Sequence, residues 1–311
     1  MKPLRIAIVG FGKIAADQHV PSIAGNPRLE LAATVSRQGA GPSDLPQFAG
    51  YQELLAADLG LEAVAITTPP SVRYEIASAC IKAGLHCLLE KPPTVTLSEI
   101  EDLACLAAGK QVTLFATWHA QHNPAVTAAA EALAGKRIAS MQITWHEDVR
   151  KWHPGQQWIW EPGGFGVFDP GINAFSIATK IFPGALFIRE ADLIYPEGRQ
   201  TPIAAEIRLA SPVADGELSC SLDWRRSEGE EWTIRVQTSD GMHLALNEGG
   251  SRLEIGGESR AAHGPGEYPG LYREFVDLID ARRSSVDVTP LRLVSDAFLL
   301  GRRTAVQPFE N

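Results

Sequence analysis

Leu4-Arg5-Ile6-Ala7-Ile8-Val9-Gly10-Phe11-Gly12-Lys13-Ile14-Ala15 is the stretch on which the fold turns. It opens as a short apolar run and breaks at Gly10, as a buried parallel strand does. It then matches G-x-G-x-x-G/A, with Ala15 in the last position. In that pattern the first glycine makes a tight turn and the second lets the backbone approach a pyrophosphate. The third small residue permits close helix–strand packing, and the helix that follows offers its N-terminal amides to the phosphates. Alone, the pattern also describes a glycine-rich structural turn. Its surroundings favour the first reading, because apolar runs recur at 29–35, 63–67, 85–89 and 112–117. Between them, 71–83 and 97–108 carry apolar residues at helical spacing, and Gly84 stands as a helix stop. Strands alternating with helices predict βαβ units, so residues 1–120 are expected to form a Rossmann domain, a doubly wound parallel sheet that binds a dinucleotide.

The expected contacts to that dinucleotide are Gly10, Gly12, Lys13 and Ile14, with Thr68, Glu90 and Lys91 further along the same domain. The end of the second run discriminates between cofactors. NAD binders usually place Asp or Glu there, about 20 residues past the glycines, to hold the ribose 2′-hydroxyl. Here the strand ends Thr34-Val35-Ser36-Arg37, and no carboxylate follows until Asp44. Ser36 can hydrogen-bond a 2′-phosphate, and Arg37 can pair with it and stack on adenine. NADP is therefore the preferred cofactor and NAD a tolerated one, unless Arg37 is an ordinary solvated side chain.

The chain has 311 residues, 45% of them hydrophobic, which suits two domains with cores of their own. With 28 basic and 37 acidic residues the net charge is −9, so no global field draws in nucleic acid or an anionic membrane. There is no apolar stretch long enough to span a bilayer, and the N-terminus lacks a secretory apolar segment, so a cytoplasmic location is expected. Cys80, Cys87, Cys105 and Cys220 form no C-x-x-C pair. That argues against a metal site and leaves buried thiols as the expected state.

After about residue 125 the pattern changes. A helix is expected at 125–134, a strand over Ile138–His146, a Trp- and Gly-rich loop at 150–170 and a helix at 172–181. From 186 to 256 apolar residues alternate with the two-residue period of half-exposed strands, with an Asp240-Gly241 hairpin signal. Helices are expected again at 271–281 and 291–302. Residues 121–311 thus read as an α+β domain on a largely antiparallel open sheet, whose last helix could pack back on the first domain.

Glu90-Lys91-Pro92-Pro93 closes the fourth run, at the carboxyl edge where ligands of open α/β sheets gather. A lysine there can polarise a substrate hydroxyl. Together with the glycine motif and the antiparallel second domain, these residues resemble the Gfo/Idh/MocA oxidoreductase family over essentially the whole chain. Two further stretches are more specific: 147–164, with Glu147, Trp152, His153, Trp158 and Trp160, and Phe168-Asp169-Pro170-Gly171-Ile172-Asn173. Both are similar to the bacterial aldose 1-dehydrogenases of that family, which act on L-arabinose and D-galactose.

The resemblance implies a nicotinamide site in the first domain and a neutral sugar at its junction with the second. It also implies homo-oligomers that bury a face of the second-domain sheet. Lys91 matches the family's catalytic lysine. Many members carry Asp-x-x-x-His, but here Asp169 is followed at that spacing by Asn173. Asparagine can orient hydroxyls but cannot accept a proton at neutral pH. Asp169 is then the expected base and Lys91 the group that orients O1, with His153 the alternative base. His119, Glu147, Trp152, His153 and Asn173 are the expected sugar contacts. His119 could equally be a structural histidine, and the loop tryptophans core anchors. Gly163, Gly164 and Gly166 are read as a tight turn entering the helix.

A short-chain dehydrogenase is disfavoured, since no tyrosine has a lysine four residues later, and a zinc alcohol dehydrogenase lacks its cysteines. Within the family, inositol dehydrogenases and glucose–fructose oxidoreductases are the alternatives, and both commonly use the histidine that Asn173 replaces. A non-catalytic nucleotide or sugar sensor on the same fold is the alternative of another class. Retention of Lys91 and Asp169 favours catalysis.

Overall fold

The computed structural model describes residues 2–39 and 41–310. The chain divides into two compact units, Met1–His119 with Gly266–Val288, and Ala120–Pro265 with Thr289–Asn311.

The first unit begins with strand β1 (Leu4–Val9), a π-helical turn (Ala15–His19), helix α1 (Val20–Ala24) and strand β2 (Leu29–Val35). Next come β3 (Gln47–Phe48), α2 (Tyr51–Ala56), β4 (Ala63–Ile66), α3 (Pro70–Lys82), β5 (His86–Leu89), α4 (Leu97–Lys110) and β6 (Leu114–Ala116). The strands form one parallel sheet in the order β3-β2-β1-β4-β5-β6, the doubly wound arrangement expected of the repeating βαβ pattern. The edge strand β3 adds to the five expected runs; two residues are too short to leave a periodic signal. Residues of β4 and β5 are buried on both faces, which is why they read as continuous apolar runs. Thr96 and Glu99 close a capping box on α4, and Pro70 opens α3 where its missing N–H costs nothing.

The second unit contains α5 (Pro124–Leu133), β7 (Ile138–His146), α6 (Val149–Trp152), α7 (Phe168–Ile181), β8 (Phe187–Pro196) and β9 (Ala204–Ala210). It continues with β10 (Leu218–Asp223), β11 (Glu231–Thr238), β12 (His243–Asn247), β13 (Arg252–Ile255) and β14 (Glu258–Arg260). The chain then returns to the first unit as α8 (Glu267–Asp280) and ends in the second as α9 (Thr289–Leu300) and β15 (Arg302–Val306).

The second sheet runs β14-β13-β12-β11-β7-β10-β9-β8-β15. Its pairs are antiparallel except β7 with β10 and β8 with β15. One row of paired residues crosses it, Leu253-Leu246-Ile234-Ile143-Cys220-Ile207-Ala191, and every member is buried. Helices α5, α7 and α9 pack on the sheet. Gly171 allows the approach of α7, because a Cβ there would stand 2.6 Å from Leu222 Cδ1 on β10. Gly241, at φ +90°, makes the β11–β12 hairpin that the Asp-Gly pair signals.

Several boundaries differ from the sequence reading. The helix expected at 172–181 begins at Phe168, because Pro170 lies in its first turn, where proline is tolerated. The 150–170 loop holds the short α6 and a 3₁₀ turn, Gln157–Trp160. The final helix stops at Leu300 rather than 302. Gly301 then packs where a Cβ would meet the Ala297 carbonyl at 2.6 Å, and Arg302–Val306 becomes a strand. Cys80, Cys87 and Cys220 are buried thiols, but Cys105 is exposed on α4. Among the described residues, no helix is long and apolar enough to cross a membrane, and no group of three or more metal-ligating side chains converges.

Candidate active site

The register of the first sheet sets its working edge. Val9 pairs with Val35 and Ile66, Ile66 with Leu89, and Leu89 with Ala116. Gly10, Ser36, Thr67, Glu90 and Thr117 therefore leave the sheet along one carboxyl rim, the place where ligands bind in such folds. Gly10, at φ +100°, presses on the next loop: a Cβ there would lie 2.6 Å from Thr68 Cγ2 and 2.7 Å from Thr68 N. At Gly12, by contrast, no protein atom lies within 4 Å of a Cβ position. Packing does not demand glycine at that point, whereas close approach of a ligand to the backbone does.

The helix that follows opens with Ala16 N–H on the Gly12 carbonyl, 3.0 Å, which leaves the amides of its first turn free of helical acceptors. Ile14 is 41% exposed on that turn, and Lys13 is exposed and paired with Asp17. The Thr68 hydroxyl oxygen is buried without a hydrogen-bond partner among the described residues. Ser36 Oγ accepts the Gln38 amide at 3.3 Å, and Arg37 is exposed beside it. A bare glycine, open helix amides and an orphaned hydroxyl suit a dinucleotide, with Ser36 and Arg37 at the end of β2.

Behind the rim lies a buried network that no sequence signal announced. Glu90 Oε1 accepts the Tyr268 hydroxyl at 2.7 Å and stands 3.2 Å from His19 Nε2; its Oε2 accepts the Lys91 amide at 2.6 Å. The other ring nitrogen of His19, Nδ1, is hydrogen-bonded to the Tyr272 hydroxyl at 2.7 Å. Burial would raise the Glu90 pKa, but the His19 hydrogen bond, the charges of His119 and His19 and the Tyr268 hydroxyl outweigh it. The carboxyl is held well below the usual range. Burial, reinforced by Glu90, pushes both tyrosine hydroxyls well up.

His119 stacks on Tyr268, 5.2 Å between centroids and 18° between planes, and its Nδ1 lies 3.2 Å from Glu267 Oε2. Burial would lower its pKa, but the Glu267 and Glu90 charges prevail over burial and Lys91 and raise it. The buried guanidinium of Arg73 bonds the carbonyls of Thr68, Glu90 and Pro92, tying together the two loops that carry Thr68 and Lys91. Thus Glu90, expected at the cofactor, has its carboxylate turned to Tyr268, His19 and the Lys91 amide.

The second unit gathers another set. Strand pairing puts Asp223 and Glu231 on either side of His146, so Glu147 emerges beside Trp224 and close to Trp232. Its buried carboxylate accepts both indole N–H groups, Trp224 at 3.0 Å and Trp232 at 2.9 Å. The His153 ring rests against the ring of Trp224, 5.1 Å between centroids. His153 Nε2 lies 3.4 Å from Asp169 Oδ2 in the first turn of α7. One turn on, the buried Oδ1 of Asn173 has no hydrogen-bond partner among the described residues.

The loop tryptophans divide. Trp160 is buried against Trp224 at 5.6 Å and serves the core, while Trp158 donates to Gln156 Oε1 at 3.0 Å. Trp152 is 46% exposed, edge-on to Trp232 at 5.9 Å, and donates to Glu230 at 2.7 Å. The glycine turn is tight at Gly164, where a Cβ would meet the Trp158 carbonyl at 2.3 Å. Glu147, His153 and Asp169 are thus linked through Trp224, which the sequence reading did not single out. Neither Trp224 nor Trp232 stands in a motif. Their one sequence signal is that both lie in the alternating strand text.

A glycine turn, an open helix start and Lys91 on one rim of a parallel sheet fit a Rossmann-type oxidoreductase. The chain belongs to the Gfo/Idh/MocA family, oxidoreductases with an NAD-binding Rossmann fold, whose family model matches residues 4–118. It is 42% identical over 310 residues to a galactose 1-dehydrogenase from Pseudomonas fluorescens, covering 99% of each chain. The crystal structure of a D-galactose-1-dehydrogenase from Rhizobium etli matches with a TM-score of 0.93 and 45% identity, over 100% of this chain and 99% of that one. A 3-ketoreductase from Actinomadura kijaniata, crystallised with NADP and TDP-benzene, shares the fold alone, at 19% identity and a TM-score of 0.79 over 98% of this chain and 100% of that one.

Proposed function

We propose that this chain is an NAD(P)-dependent aldose 1-dehydrogenase that oxidises the anomeric carbon of D-galactose, L-arabinose or both to the aldonolactone. The observation that carries the reading is Asp169, a buried carboxylate facing an imidazole at 3.4 Å, in a chain 42% identical to a galactose 1-dehydrogenase. A bound nicotinamide supplies the hydride acceptor. Gly10, Gly12, Lys13, Ile14 and Thr68 hold its pyrophosphate end, and Ser36 with Arg37 favours NADP while leaving NAD tolerated.

Asp169 takes the proton from O1 of the sugar, and Lys91 orients O1 and stabilises the charge that develops on it. Asn173 cannot share the proton, but its Oδ1, unpartnered among the described residues, can accept a sugar hydroxyl. His119, Glu147 and His153 contribute polar contacts, and Trp152 an aromatic face for sugar C–H groups. Glu147 is braced by two indole donors, which fixes the orientation of its carboxylate.

A second copy of the chain is assigned to the second sheet, whose Ser140, Gln142, Arg235, Gln237 and His243 line a groove. Light scattering should then report a dimer or higher oligomer. The reaction is tested by following nicotinamide reduction with a panel of aldoses. Turnover of galactose or arabinose supports the reading, and tight NADP binding without turnover of any aldose overturns it.

A further inference from the structure

We infer that His153 and Asp169 work as a proton relay, in which Asp169 takes the O1 proton and His153 carries it to solvent. This rests on the reading of the chain as an aldose 1-dehydrogenase. The side chain of Asp169 is 5% exposed and that of His153 18%, so the carboxylate lies deeper and the imidazole nearer to water. A base so enclosed must be emptied of its proton once per turnover, and the neighbouring amide of Asn173 cannot do it.

The tautomer of His153 follows from its neighbours. Trp158 Nε1, which can only donate, points at Gln156 Oε1 at 3.0 Å, so that atom is the amide oxygen. The same oxygen lies 3.4 Å from His153 Nδ1, which places the ring proton on Nδ1. In the neutral ring Nε2 then carries a lone pair, and it is Nε2 that faces Asp169 Oδ2 at 3.4 Å. At that distance a proton on either group can bridge the two. Once Asp169 is protonated, its O–H can donate to Nε2 and the contact can close.

The step balances. The C1–H pair leaves as hydride to the oxidised nicotinamide dinucleotide, and the O1–H pair becomes the second bond of the C1=O1 carbonyl. The O1 proton passes to Asp169 and then to Nε2, and the imidazolium releases one proton to water. The other charges near the pair are engaged. Arg150 is on Asp148 at 3.0 Å, Lys151 is on Glu230 at 2.5 Å, and Glu147 is held by the indoles of Trp224 and Trp232.

The test uses the full chain with NADP and galactose or arabinose. His153→Ala should lower kcat about 10²-fold with a smaller change in KM, and added imidazole should restore much of the loss. His153→Gln, which keeps the bulk and hydrogen bonding, should stay slow. Imidazole should not rescue Asp169→Asn. A readout independent of turnover is the ring titration of His153 by NMR in the ligand-free protein, which should move to lower pH in Asp169→Asn as the carboxylate charge is lost. A kcat within twofold of wild type in His153→Ala, or an unmoved titration, overturns the relay. If wild type oxidises no aldose, the functional reading fails separately, while the titration still decides whether the two groups are paired.

Discussion

In the first unit, Glu90 sits among a tyrosine hydroxyl, an imidazole and the Lys91 amide; in the second, Asp169 faces the imidazole of His153 at 3.4 Å. Both carboxylates are buried, yet their neighbours differ in kind. The Tyr268 hydroxyl and the Lys91 amide only give hydrogen bonds to Glu90, and His19 is itself held in place by Tyr272, so the charged form is favoured and no proton is accepted near neutral pH. Glu90 is a fixed charge that anchors the turn presenting Lys91. In the relay proposed above, Asp169 faces a ring nitrogen that can take a proton onward. In the proposed mechanism, burial alone does not mark the reactive carboxylate; what its neighbours can donate or accept does.

The largest effect expected from this contrast is in kcat. Asp169→Asn should lower it by about 10³-fold, within the range for a positioned general base, with sugar KM changed far less and NADP affinity unchanged. Steady-state kinetics with direct nucleotide titration checks all three. If Asp169→Asn raises only KM, the base is another residue, and His153 is the next candidate.

Glu90→Gln should break the other side of the contrast, costing stability first. Replacing the charged acceptor of the His19 and Tyr268 bonds should destabilise the protein by about 2 kcal/mol, read by denaturant unfolding. The pH dependence has a definite sign. Glu90 has a lowered pKa in the folded state, so its contribution is present above the ordinary carboxylate range and is lost as pH falls through the folded value. The acid limb of the stability profile should therefore flatten in Glu90→Gln. A variant of full stability whose kcat falls as far as that of Asp169→Asn would show that Glu90 takes part in proton transfer.

Local text carried much of this molecule. The glycine motif, the strand runs and the Asn173 departure are short-range patterns, and β1, β2 and β7 lie where their apolar pattern put them. The half-sites were legible as residue names, not as networks. Tyr268 and Tyr272 stand four apart on α8, and the expected start of that helix at 271 left Tyr268 outside it. Nothing nearby in the chain ties Tyr268 to Glu90, 178 residues earlier. His19 sits in a π-helical turn, a local insertion in the helix that apolar spacing does not reveal. Trp224 and Trp232 became visible as partners of Glu147 only through strand register.

A smaller effect should separate the units by function. Arg37→Ala removes the charge-assisted contact proposed for a 2′-phosphate and should weaken NADP binding about tenfold, leaving NAD binding and saturated kcat unchanged. Gly12→Ala belongs with it. A methyl group there meets no protein atom, so stability should hold while both nucleotides bind less well. Equal losses for NADP and NAD in Arg37→Ala would remove Arg37 from phosphate recognition.

The smallest effect concerns the alkaline side of the first unit. His119 has a raised pKa because the charge of Glu267 overcomes burial and the charge of Lys91. A raised folded-state pKa means that the pair's contribution is full below the unfolded histidine value, about 6.5. It is then lost as pH climbs through the higher folded value. Glu267→Gln removes the charge and keeps the shape, so the His119 titration should move down and the decline in stability above neutrality should shrink. Melting temperatures measured from pH 6 to 9 should converge for wild type and variant at the alkaline end and separate at the acidic end, with wild type higher. A constant offset across that range would mean that Glu267 braces the ring through packing and hydrogen bonding, with its charge contributing nothing. The second unit supplies the control, because Glu267→Gln should leave the ring titration of His153 where it was.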